Sequence, residues 1–236
     1  REHNEDSLIT IGATESPFAL DAILIVADGM GGHLAGEVAS AMAIEGISSR
    51  MAEVTELISQ RQSPEMTIHF ADIFREVNKE IYTAGQAPEN LGMGTTCTMA
   101  VIVSDDLIIT HIGDSRAYLI RSETLHQVTT DHSWVEEAVE KGLLTKEEAR
   151  IHPNRNMITK AMGIHMNIDP DSLVCKLYPR DILVLCSDGL NAMISDEDIL
   201  STILNPPSGD PCRDLVILAN ANGGLDNISV IICEMS

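Results

Sequence analysis

Basic residues are scarce in this chain: 15 Lys and Arg stand against 36 Asp and Glu, a formal net charge of −21 over 236 residues. That balance excludes a surface built to hold nucleic acid or an anionic membrane, since both need basic patches. Cations are the natural partners. No C-x-x-C pair occurs among the five cysteines, Cys97, Cys175, Cys186, Cys212 and Cys233. Their odd number and spacing fit neither a zinc cluster nor a disulfide framework, which predicts reduced, mostly buried thiols and a cytoplasmic setting. Long apolar runs are missing as well. Stretches such as residues 22–27 and 182–186 fall far short of the roughly 20 residues of a membrane-spanning helix. Neither an initiator Met nor a signal peptide precedes Arg1, which predicts a piece excised from a longer polypeptide. At this length the expectation is one domain over residues 1–236.

What the chain does have is carboxylates at the ends of apolar runs. IVADGMGG (25–32) carries an apolar strand into Asp28 and then into glycines at 29, 31 and 32. Alone, Asp-Gly at that place is a common turn. ILVLCSDGL (182–190) repeats the pattern at Asp188 and Gly189. In GGLDNISVII (223–232) glycines precede Asp226 and an apolar run follows. Three such strand ends can bring three carboxylates to one rim.

Apolar periodicity predicts strands near 18–27, 95–103, 106–112, 115–121, 172–178, 181–187 and 227–234. Helices are predicted near 35–56, 64–84, 132–141, 145–151, 156–162, 196–204 and 211–221. Within 64–84, apolar residues at 66, 70, 73, 74, 77 and 81 recur at helical spacing. The block TTCTMAVIVSDDLIITHIGDSRAYLI reads as a meander with tight turns at Ser104-Asp105-Asp106 and Gly113-Asp114. Strand runs flanked by helix pairs predict an α+β fold of stacked sheets covered by helices. Residues 131–169, rich in short helices and polar turns, read as an insertion beside the sheets.

REHNEDS (1–7), VADGMGGH (26–33), GTTCTMAVI (94–102), IGDSRAYLI (112–120), TTDHSW (129–134), CSDGL (186–190) and GLDNISVII (224–232) follow one another in that order. With these motifs the chain resembles, over nearly its whole length, the metal-dependent serine/threonine protein phosphatases of the type 2C or PPM class in their compact bacterial form. The resemblance implies a four-layer α-β-β-α sandwich of two antiparallel sheets flanked by helices, with residues 131–169 as a flap. A two-metal centre is implied at one end of that sandwich. The implied reaction is hydrolysis of phosphoserine and phosphothreonine in proteins by a metal-bridging water or hydroxide, reversing serine/threonine kinase signalling. Phosphoproteins made by such a kinase are the implied partners.

A pair of hard cations can clamp phosphoryl oxygens and acidify a water, so no protein nucleophile is needed. All-oxygen ligands favour Mn2+ or Mg2+ over zinc. By resemblance, Asp28 bridges the two ions, the Gly29 carbonyl binds one, and Asp188 and Asp226 hold the other. Glu5 and Asp6 correspond to acids that reach metal directly or through water. Arg1 is the candidate phosphate clamp, because a planar guanidinium matches two phosphate oxygens. Asp114 has two readings: a turn-forming Asp held by its own backbone, or, as in bacterial relatives, a partner of Asp188 in holding a third, weaker ion. Some members of the class carry a His directly after the Asp-Gly pair, where this chain has Met30. A thioether donates no proton, so His33 is the candidate acid, with a metal-bound water as its competitor.

Three kinds of protein fit these features: a cation-dependent phosphatase, a catalytically weak relative acting as a binding module, and a calcium-regulated acidic interaction protein. The intact set Asp28, Gly29, Asp188 and Asp226 weighs against the second. The absence of any EF-hand loop weighs against the third.

Overall fold

Alternation along one strand sets the layering. In β2 (Ala22–Met30), Ile23, Ile25 and Ala27 enter one core while Leu24 and Val26 enter another, because successive residues of a strand point to opposite faces. The computed structural model describes residues 3–12, 21–31, 35–51 and 63–235. β1 (Asp6–Gly12), β3 (Gly94–Thr95), β4 (Cys97–Val103), β5 (Asp106–Ile112) and β8 (Asp171–Lys176) complete a six-stranded sheet around β2. Its order is β1, β2, β4, β5, β8, with β3 also paired to β2. A second, four-stranded sheet runs in the order β10 (Val230–Glu234), β9 (Ile182–Cys186), β6 (Arg116–Arg121), β7 (Thr124–Gln127). Every ladder among the described residues is antiparallel.

Three buried clusters separate four layers. Ile23, Ile25 and Met99 of the first sheet pack against Ala39, Ala43 and Ile47 of α1 (Ala35–Arg50) and Phe70, Phe74 and Val77 of α2 (Ser63–Ala84). Between the sheets, Leu24, Val26 and Ile109 meet Leu119, Leu183 and Leu185. The outer face of the second sheet, with Tyr118 and Val184, is covered by Leu190 and by the C-terminal helices. The four-layer α-β-β-α sandwich therefore forms as the resemblance implied. Small residues let α1 lie close to its neighbours: a Cβ on Gly46 would come within 3.0 Å of both Val77 methyl groups. The covering elements are α5 (Asp188–Asn191), α6 (Asp196–Leu204) and α7 (Pro211–Ala221), while α3 (Trp134–Glu140) and α4 (Lys146–Ile151) lie within residues 131–169.

Several local expectations are corrected. Residues 95–120 are no meander. β4 and β5 pair through a tight turn with Ser104 at φ 57°, but β6 pairs with β9 and β7 in the other sheet. Gly113-Asp114 is thus a crossover between sheets. The helix expected near 156–162 is absent, because its backbone groups bond to other segments. Trp134 N–H donates to Met157 O, Thr159 N–H to His132 O and Met162 N–H to Thr95 O, at 2.8, 2.7 and 2.9 Å. The strand expected near 18–27 starts at Ala22 and runs on through Asp28 to Met30; residues 18–20 lie outside the described residues. The strand expected near 227–234 begins only at Val230, since Asn227 and Ser229 bond to the opposite strand ends instead. β1, β7 and the single turn α5 have no counterpart in the periodicity. Cys97 and Cys186 are buried, whereas Cys175, Cys212 and Cys233 are half-buried and all five are free. No helix among the described residues is long and apolar enough to cross a membrane.

Candidate active site

The two sheets present their polar ends to one another along one rim. Asp28 of β2 stands opposite Asp6 in the β1 ladder, so one register places two carboxylates side by side. The Asp28 backbone is tied on both sides: its N–H donates to Thr96 Oγ1 at 3.0 Å, and its carbonyl accepts from Thr96 N–H and Thr95 Oγ1 at 2.9 and 3.0 Å. Thr96 Oγ1 also meets Ser115 Oγ at 2.7 Å, which links Asp28 to the crossover that carries Asp114. Gly113 holds that crossover at φ +113°, a conformation suited to glycine. A Cβ there would also lie 2.5 Å from Thr96 Cβ.

Glycine at 29 has a packing reason rather than a turn. The residue is extended within β2, and its N–H donates to Glu5 O at 3.1 Å. A Cβ would fall 2.2 Å from Gly36 O at the start of α1 and 2.4 Å from Glu5 O. Three backbones meet here with no room for a methyl group. The second Asp-Gly pair is built the same way, for a Cβ on Gly189 would fall 1.9 Å from Asn227 O.

From the second sheet, Asp188 opens α5 directly after β9, and Asp226 precedes Asn227. Ser187 is fully buried and joins the sheets: its hydroxyl donates to Asp6 Oδ2 at 2.9 Å and accepts from Ser229 N–H at 3.0 Å. Asn227 clamps the chain leading into β1, accepting from Glu5 N–H at 3.0 Å and donating to His3 O at 3.1 Å. Glu5, Asp6 and Asp114 are buried.

The electrostatics of this rim are self-repelling. Burial raises the Asp28 carboxyl well above the ordinary carboxylate range, and the charges of Asp6, Asp188, Asp114 and Asp226 raise it further. Burial also raises Asp6, against hydrogen bonds from Ser229 and Ser187, with Asp226 adding to the rise. Asp114 is pushed up to about 8 by burial first and then by Asp188 and Asp131. Arg116 is nearby, but its guanidinium is committed to Asp131 in a bidentate pair at 2.7–3.1 Å.

Asp6 Oδ1 and Asp114 Oδ1 are buried with no hydrogen-bond partner among the described residues. Buried carboxylate oxygens ordinarily find donors or a cation. No three His, Cys, Asp or Glu side chains among the described residues close on a single point as a complete ligand shell. The donor set suits hard cations held by one or two carboxylates each, with water filling the rest of the shell.

Of the candidates from sequence, Asp6, Asp28, Asp114, Asp188 and Asp226 lie in one another's field, and Glu5 adjoins them in sequence and through Gly29. Arg1 and His33 lie outside the described residues. The hydroxyl and amide residues that seat the carboxylates, Thr95, Thr96, Ser115, Ser187, Asn227 and Ser229, escape a reading for charged groups. Their signal is present all the same, since each Asp motif carries a Ser, Thr or Asn beside or near its acid.

The protein phosphatase 2C family profile matches residues 3–208. The serine/threonine phosphatase stp of Listeria welshimeri is 37% identical over 236 residues, covering 99% of this chain and 91% of that protein. The crystal structure of serine/threonine phosphatase Stp1 from Staphylococcus aureus superposes with a TM-score of 0.89 at 36% identity, covering 100% of this chain and 91% of that one. The catalytic domain of serine threonine protein phosphatase PstP in complex with two manganese ions gives a TM-score of 0.80 at 33% identity, covering 100% and 94%. Fold, rim and relatives together show that the chain belongs to the protein phosphatase 2C family and is a bacterial-type serine/threonine protein phosphatase.

Proposed function

We propose that the carboxylate rim is a two-cation centre that removes phosphate from phosphoserine and phosphothreonine in proteins. The observation that carries this reading is the crowding of carboxylates around Asp28. Five acids repel one another, two buried carboxylate oxygens lack donors, and the nearby Arg116 is taken by Asp131. In this reading Asp28 is shared between the ions, the Gly29 carbonyl serves one, and Asp188 and Asp226 serve the other. Glu5 and Asp6 act directly or through water, and Asp114 works with Asp188 at a third, weaker position. When bound, Mn2+ or Mg2+ would supply charge to the phosphoryl oxygens and acidify a water. The chain's own task is to hold the carboxylates in place: Thr96 and Asn227 fix the backbone at Asp28 and Glu5, and the Ser187 hydroxyl donates to the Asp6 carboxylate.

Arg1 enters as the phosphate clamp and His33 as the proton donor to the leaving alkoxide, both on their motifs; a water of the centre is the competing donor. Residues 1–236 are read as one catalytic domain with residues 131–169 as its flap. Kinase-modified cytoplasmic proteins are taken as its substrates. Phosphate release from a phosphothreonine peptide in Mn2+, Mg2+, Ca2+ or excess chelator tests the reading. Release with Mn2+ or Mg2+ and none with chelator is expected, and full turnover in chelator would remove the two-cation centre.

A further inference from the structure

The motif TTDHSW (129–134) supplies none of the five acids of the rim, yet one of its side chains reaches the crossover that carries Asp114. Gly113 N–H donates to His132 Nδ1 at 3.0 Å, and Gly113 O accepts from His132 N–H at 2.7 Å. One residue, 19 positions further along the chain, thus satisfies both backbone groups of Gly113. On the other side of Asp114, Ser115 Oγ meets Thr96 Oγ1 at 2.7 Å, and Ser115 O accepts from Thr98 Oγ1 at 3.0 Å. Asp114 Oδ1 is buried with no hydrogen-bond partner among the described residues, so the backbone on either side sets where this carboxylate stands.

The imidazole is prepared for its contact. A backbone N–H can only donate, so Nδ1 carries no proton and the ring proton sits on Nε2. Nε2 faces Asp171 Oδ2 at 3.3 Å, with Lys160 Nζ 3.5 Å from the other oxygen of that carboxylate. The buried ring of His111 stacks on His132 with centroids 5.0 Å apart. Both chain neighbours are fixed as well: Asp131 grips Arg116 of β6, and Ser133 caps α3 by accepting from Glu136 N–H. A buried N–H that loses its acceptor is costly to keep, so without the imidazole the crossover turns to find another partner.

We infer that His132 is a positioning residue for the hydrolytic reaction: by accepting the Gly113 N–H on Nδ1, it fixes the crossover that holds Asp114 on the rim. The inference deepens the phosphatase reading and rests on it, through the role given there to Asp114.

Three substitutions separate the acceptor from the bulk of the ring. In His132→Asn the amide oxygen falls near the place of Nδ1 and still serves Gly113. In His132→Gln the longer side chain puts its amide near the place of Nε2, and His132→Leu offers no acceptor. In chelator, amide hydrogen exchange at Gly113 should stay slow in wild type and His132→Asn, and quicken by about tenfold or more in the Gln and Leu variants. With Mn2+, phosphopeptide kcat per folded molecule should fall about 10- to 100-fold in the Gln and Leu variants, the usual loss for residues that orient metal-holding groups. The Asn variant should stay within about threefold of wild type by the same reasoning. In an Asp114→Ala background, His132→Leu should lower kcat no further, since the two changes act through one group.

Misfolding does not produce a rescue by Asn over Gln, and that pair decides the matter if the Leu variant fails to fold. Equal exchange and equal rates in the Asn and Gln variants, or a loss that adds fully to that of Asp114→Ala, overturn the inference. If Asp114→Ala is impaired while the Gln and Leu variants turn over like wild type, only the assignment of His132 fails. If Asp114→Ala itself turns over like wild type, or wild type releases no phosphate with Mn2+, the reading beneath fails and this inference with it.

Discussion

Replacing Gly29 by Ala tests the claim that close backbone packing, rather than a turn, places glycine beside Asp28. The added Cβ would lie 2.2 Å from Gly36 O and 2.4 Å from Glu5 O, below the 3.0 Å that real Cβ atoms respect. Relief requires α1 and β1 to draw back from β2 by about 0.8 Å and 0.6 Å. Both obstacles are backbone atoms, so no rotamer change can absorb the clash. Overpacking of this kind costs about 1–3 kcal/mol. For a chain of this size each kcal/mol lowers Tm by about 2–4 °C, giving an expected fall of roughly 2–12 °C. Displacement of the Asp28 carboxylate by most of an ångström should also reduce kcat/KM by roughly 10²-fold in the molecules that stay folded. Gly12→Ala is the control. That glycine lies in β1 with nothing within 4 Å of a Cβ, so Ala there should be neutral or stabilising by a few tenths of a kcal/mol to about 1 kcal/mol. Thermal melts and phosphopeptide turnover on the two purified variants decide the matter. A Gly29→Ala protein with wild-type Tm and wild-type turnover would refute the packing argument.

Other expectations follow from the electrostatics of the rim. Asp6, Asp28 and Asp114 are raised from the ordinary 3.8, Asp114 to about 8. Such carboxyls bind their protons more tightly folded than unfolded, so their contribution is complete below about pH 4 and is lost as pH climbs to about 8. In chelator, Tm should therefore rise as pH is lowered from 8 to 6, and saturating Mn2+ should flatten that slope; a metal-free Tm that falls over the same range contradicts the repulsive cluster. Asp28→Asn should abolish phosphate release while leaving Tm in chelator equal or higher, because it removes a repelling charge at little change in volume. Release at the wild-type rate would show that the centre is misplaced. Arg116→Met should cost about 3–5 kcal/mol by leaving Asp131 buried and unpaired, measured by denaturant melts, and Asp131→Leu in the same chain should restore most of the loss.

The sequence by itself determined the elements with strong periodicity and the chemistry of the rim. Apolar spacing in α2 marks a helix because one face is buried, and the runs at 97–103 and 106–112 mark strands because both of their faces are. Asp28, Asp188 and Asp226 were legible because each acid interrupts or borders a run that has no other reason to contain a charge. Local pattern carries no information on which sheet a strand joins. The segment around Gly113 looks like a hairpin turn, yet β6 leaves for the second sheet, because its apolar residues find Leu183 and Leu185 there. That crossover puts Asp114 on the rim beside Asp188. The roles of Ser187 and Asn227 were likewise invisible, since their partners Asp6 and Glu5 are 181 and 222 residues away along the chain. Even Gly29, which the sequence marks as special, had its reason decided in three dimensions: the oxygens that forbid a methyl group belong to α1 and to the residue before β1. Residue type reports what a side chain can do, whereas only the packing of the two sheets decides which other side chains share its field.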